Sequence, residues 1–150
     1  MDKLAFAFIL DRATGHLFVD FVVNNESLYE KFELEGTLRI GVLGWSSQEW
    51  ETKNINIFLS EIKPVLDNGR VELFVCSDCG NIGCGATTLK LTKTNNKIVW
   101  SEFGDDRDFG PVDYSDYETG LQYQFDELEY GNTFEELKTA LLKLRLRESL

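Results

Sequence analysis

All three cysteines of this chain lie in FVCSDCGNIGCGATT, residues 74–88, the stretch with the most obvious capacity for chemistry. Cys76, Cys79 and Cys84 follow a Cys-x2-Cys-x4-Cys spacing, with glycines at 80, 83 and 85. Three thiolates so close in sequence could hold zinc, but a closed tetrahedral site needs a fourth ligand, and no second Cys-x2-Cys pair is present. The single histidine, His16, is remote in sequence. Cys-x2-Cys can also be a redox pair, although that chemistry favours a thiol at a helix N-terminus, and here strand-like sequence lies on both sides. The plainest reading is a glycine-rich connection between two strands, with small thiols packed beneath it. Zinc and thiol redox stay open beside it. The glycines match neither GxGxxG nor the Walker pattern, and no helix visibly follows to cradle a phosphate.

Other catalytic constellations are thin. His16 has no nearby nucleophile, and with 26 acids in 150 residues carboxylate pairs arise by chance. A non-enzymatic role with no obligatory cofactor is the expectation.

The acids themselves are unevenly spread. Residues 101–136 hold twelve of them against Arg107 alone, whereas acids and bases balance over the remainder of a chain whose net charge is −11. Nucleic acid and anionic membranes are disfavoured as partners, because polyanions are bound through basic clusters. Aromatics interleave with these acids, among them Phe103, Phe109, Tyr114, Tyr117, Tyr123, Phe125 and Tyr130. A merely solvating acidic tail carries few aromatics, while protein-binding surfaces favour Tyr and Phe amid complementary charge. The expected binding set is Asp105, Asp106, Asp108, Asp113, Asp116 and Glu118 for steering, with Tyr114 and Tyr117 as anchors. The acids do not follow calcium-loop order.

The elements that must position these groups follow from periodicity. LAFAFIL (4–10) and HLFVDFVV (16–23) flank a turn and read as a hairpin, with Leu17, Val19, Phe21 and Val23 on one face. NNESLYEKFE is a loop or a short helical turn, and TLRIGVLGW (37–45) a strand weakened or bulged at Gly41 and Gly44. Apolar residues at three- and four-residue steps predict a helix over 54–67, with Pro64 as an awkward member. VELFVCS (71–77), ATTLKLTKT (86–94), KIVWSEF (97–103) and LQYQF (121–125) read as strands, with Asn95-Asn96 as a tight turn and residues 105–120 as a long loop. Thr133 and Glu136 form a capping-box pattern before a closing helix whose Phe134, Leu137, Leu141 and Leu144 face inward, with Leu142 beside them. The whole reads as one α+β domain over 1–150, a mainly antiparallel, hairpin-rich sheet with about two packed helices.

No run reaches the ~20 apolar residues of a membrane span. The N-terminus has no basic leader, so a cytoplasmic protein with reduced thiols is expected. FVCSDCGNIGCGATTLKL, KIVWSEFG and a strand ending in QFDE together resemble a family of small bacterial cytosolic proteins, over roughly residues 71–130. By type, a small acidic chain of this kind also resembles the immunity proteins of polymorphic toxins, including contact-dependent growth inhibition systems. That resemblance implies a cytosolic inhibitor that occludes a cognate cationic toxin domain of the nuclease kind. The alternative is a zinc-binding or thiol-redox protein centred on the three cysteines.

Overall fold

LAFAFIL and LFVDFVV are rich in apolar, β-branched and aromatic residues, and they form two strands, β1 (Leu4–Leu10) and β2 (Leu17–Val23). The computed structural model describes residues 1–107 and 110–148. β1 and β2 pair antiparallel in register from Leu4↔Val23 to Leu10↔Leu17. Asn24 and Asn25 then take positive φ of 52° and 66°, and Val23 pairs with Glu26 across them. That is the two-residue turn whose twist suits a hairpin, and Asn tolerates it. It starts β3 (Glu26–Ser27), which leads into one helical turn, α1 (Leu28–Lys31).

The second sheet has the order β4-β5-β6-β7-β8, every pair antiparallel: β4 (Arg39–Gly41), β5 (Val71–Cys76), β6 (Ala86–Thr94), β7 (Lys97–Asp106) and β8 (Gln122–Asp126). The Asn95-Asn96 turn joins β6 to β7 as expected. β7 runs three residues beyond its expected end, so Asp105 and Asp106 belong to a strand. β4 is much shorter than 37–45. The two sheets are stitched where Val19 N–H donates to Leu43 O (2.8 Å) and Asp2 N–H to Gln124 O (2.9 Å).

Helices α2 (Gln48–Phe58) and α3 (Glu127–Glu148) complete an α+β architecture, with three α-helices among the described residues. The core is aromatic. Trp100, Phe21, Phe58, Phe125 and Phe134 meet at ring separations of 5–6 Å, and Trp100 Nε1–H donates to Tyr130 Oη, which in turn donates to Phe58 O. These two bonds satisfy polar atoms that burial would otherwise penalise.

Both helices correct the sequence expectation. α2 begins six residues earlier than 54, where Ser47 Oγ accepts from Trp50 N–H, and it ends at Phe58 rather than 67. Ser60 takes a left-handed φ of 60°, and Pro64 and an exposed Ile62 lie beyond the helix. Thr133 does not cap α3. It sits in the second turn, its hydroxyl donating to Leu4 O and Glu129 O (both 3.2 Å), so no capping box forms with Glu136. Asp126 holds the start instead, its Oδ2 accepting from Glu129 N–H at 3.0 Å. Gly131 is tolerated within the helix, where buried Tyr130 and Phe134 hold this face to the core. Leu142 points to solvent. Asp126→Ala is expected to cost about 1 kcal/mol of stability, the worth of a cap, in urea unfolding. An unchanged midpoint would contradict that placement.

Both faces of β2 are covered, so Phe18 and Asp20 are buried together with Val19, Phe21 and Val23. Burial pushes the Asp20 carboxyl above its ordinary value, against Ser27 Oγ–H (2.5 Å) and Tyr29 N–H (3.1 Å), which favour the charged form. An acid whose folded pKa exceeds the unfolded value of about 3.9 contributes most at low pH and loses that contribution as pH rises through the folded pKa. Asp20→Asn should therefore gain stability relative to the unmodified chain as pH rises above about 4, the unfolded value, until the folded carboxyl has ionised. A difference that stays constant across that range would sink the assignment.

Candidate metal centre

β5 ends at Cys76, and the chain then turns twice before β6 begins at Ala86. Gly80 N–H closes the first turn on Cys76 O (2.9 Å), with Gly80 at φ 67°. Asn81 Oδ1 accepts from Gly83 N–H (2.7 Å) and so caps a single 3₁₀ turn, Ile82–Cys84, which ends at Gly85 with φ 90°. The positive φ values explain why glycine directly follows Cys79 and Cys84.

These turns bring the three sulfurs within 4.8 Å of one another, and Cys79 Sγ lies 3.2 Å from Cys84 Sγ. Backbone N–H groups point at them. Asn81 N–H donates to Cys79 Sγ at 3.3 Å, and the N–H groups of Asp78 and Cys79 donate to Cys76 Sγ. Burial pushes the Cys76 thiol up, but these donors and the neighbouring thiols outweigh it and leave it below its ordinary value. The Cys84 thiol is pushed up to about 11 by its hydrogen bonds to Cys79 and Cys76. The trio therefore resists carrying three negative charges unaided, a penalty that a bound cation removes. Cys79 and Cys84 are exposed, so neither serves as a small hydrophobe beneath the turn. His16 is stacked on Trp45 (5.1 Å between ring centres), and the cluster has no fourth member among the described residues.

The thiols form one wall of a cavity of about 890 Å³. Opposite them, Arg39 Nη1–H donates to Asp105 Oδ1 (2.5 Å) and Thr87 Oγ1 (3.2 Å), while Tyr117 Oη–H donates to Asp105 Oδ1 (2.8 Å). Burial and the adjacent Asp105 hold the Tyr117 phenol well above its ordinary range.

The residues expected to steer and anchor a partner fall into two groups. Asp105, Asp106 and Tyr117 are engaged within the fold. Asp106 is buried, accepts from Asn68 Nδ2 (2.8 Å) and lies 3.8 Å from Arg70 Nε. Asp113, Tyr114, Asp116 and Glu118 are exposed, with the Arg70 guanidinium 5.5 Å from the Tyr114 ring centre. Asp113 Oδ1 accepts from Ser115 N–H, which holds its carboxyl below the ordinary value. Asp108 lies outside the described residues. Acids of the segment also meet bases from outside it: Glu129 with Lys3, Glu118 with Lys31, Glu102 with Lys90 and Glu127 with Lys93. The charge segregated along the sequence is thus interleaved in space. Arg39 and Arg70, which organise this region, carried no signal beyond being isolated bases beside strands.

Among the described residues no helix is long and apolar enough to cross a membrane. Compared with known proteins, the chain matches no family model, no curated protein and no solved structure.

Proposed function

We propose that this chain is a metal-binding protein rather than an enzyme, holding a thiophilic divalent ion, zinc foremost, on Cys76, Cys79 and Cys84. The convergence of three sulfurs within 4.8 Å, with backbone N–H groups directed at two of them, carries the reading. Tetrahedral zinc with Zn–S bonds of about 2.3 Å sets its sulfurs about 3.8 Å apart, so ligation needs only small shifts. N–H···S bonds orient the thiolates and temper their charge, as outer-shell partners of metal ligands do. The deciding test is metal analysis of protein purified under reducing conditions, paired with thiol titration. About one zinc per chain, with thiols that react only after chelation, is expected. Three freely reactive thiols and no metal after incubation with zinc would end the proposal. A Cys79–Cys84 disulfide in their place would move the function to thiol redox.

A second reading has its own observation. Asp113, Tyr114, Asp116 and Glu118 lie exposed on one short loop, the arrangement of an aromatic anchor amid acids. It supports a cytosolic immunity protein that blocks a cationic toxin of the nuclease kind. A basic partner recovered by pull-down at low salt and released at high salt would favour it. Retention that ignores salt would count against it.

A further inference from the structure

If the three cysteines hold a metal ion, as proposed above, the coordination shell is incomplete. The cluster offers three sulfurs and no fourth His, Cys, Asp or Glu among the described residues, and all three sulfurs line the same cavity. Three protein ligands with an open position is the arrangement of a metal that binds something external, not of a purely structural site. The cavity, about 890 Å³, is larger than a coordinating water or a bare donor group requires. Its charge narrows the choice. Glu33, Asp78, Asp105 and Asp116 line it together with the thiolates, and Arg39 is already paired with Asp105. Even with a divalent ion in place, and Arg107 beside Gly85, the lining stays negative. Carboxylates and phosphates are repelled there, and a thiolate-bound ion prefers nitrogen or sulfur donors.

We infer that the ion's fourth position opens to this cavity and takes an external imidazole or thiol donor carried on a cationic group. Two sources share that chemistry, a basic protein segment bearing a histidine or cysteine and a small cationic amine bearing the same donor. Cobalt(II) reports the coordination directly. Cobalt-loaded protein would be titrated with histamine, imidazole, a Lys-Lys-His-Lys-Lys peptide, the same peptide with alanine for histidine, acetate and phosphate. The visible d–d bands should shift saturably with histamine and the histidine peptide, and these should bind about tenfold more tightly than imidazole. The alanine peptide, acetate and phosphate should leave the bands unchanged. Tighter binding of the peptide than of histamine identifies a protein segment as the source, and the reverse a small molecule. Asp116→Asn should narrow the gap between histamine and imidazole. Bands that no probe shifts, or that acetate or phosphate shifts equally, overturn the inference. Loss of the proposed metal site itself would show differently, as no thiolate-to-cobalt charge-transfer absorption before any probe is added.

Discussion

Cys79→Ser is expected to lower zinc affinity on the order of 100-fold while leaving the fold intact. A structural zinc site of four ligands contributes roughly 10–16 kcal/mol, so one ligand accounts for about 3 kcal/mol, or about two decades in affinity. Cys79 suits the test because it is exposed and makes no core contact, whereas Cys76 is buried at the end of β5. Competition against a chromophoric chelator gives the affinity, and far-UV circular dichroism checks the fold. Cys84→Ser should behave alike, since the two sulfurs lie 3.2 Å apart on the same wall. If both variants bind zinc as tightly as the unmodified chain, the metal is held elsewhere and the proposed site is wrong. If only Cys84→Ser does so, the site is a two-thiolate pair that Cys84 merely adjoins.

Gly41→Ala is expected to be among the most destabilising single substitutions available. A Cβ at Gly41 would lie 2.0 Å from Val19 O and 3.1 Å from both Phe18 Cδ2 and Val19 C. The obstacle is backbone, and that backbone is fixed. Val19 is buried, and its N–H bonds Leu43 O where the two sheets join. Relief requires β2 and β4 to part, opening the seam between sheets. Overpacking of this kind costs about 3 kcal/mol or more against a total stability of about 5–15 kcal/mol. A domain of this size would lose on the order of 10 °C in Tm. Gly36→Ala is the control. Gly36, unlike Gly41, has a positive φ (81°) and meets nothing within 4 Å, so only backbone strain of about 1 kcal/mol applies. A loss at Gly41 no larger than that at Gly36 would show that the approach of β2 does not constrain this position.

The glycines mark where sequence reasoning reached its limit. Gly41 and Gly44 read as weak points of a strand, and their reason is the backbone of β2, residues 17–19, against which both pack. No local pattern reports such a long-range approach. Strands 4–10, 71–76 and 86–94 were legible because alternation and β-branched residues act locally. The helices were half legible. Apolar periodicity detected both but misplaced α2 by including Ile62 and Leu66, and it took Thr133 for a cap when the chain already turned helical after β8. Asp126 is both the last residue of β8 and the cap of α3, a double role that a period-based reading divides wrongly.

The thiol triad, the α+β class and the hairpins are legible in the chain, because spacing, alternation and turn residues are properties of neighbours. What the charges and thiols face depends on contacts between remote segments. Bases at 3, 31, 39, 70, 90 and 93 come from far along the chain to meet acids of the 101–136 segment. Electrostatic energy depends on distance through space, so a charge excess counted along a sequence overstates the patch that remains once the chain folds. The thiols obey the same logic in the opposite direction: one turn and a 3₁₀ turn convert nine residues of sequence into one cluster facing a cavity.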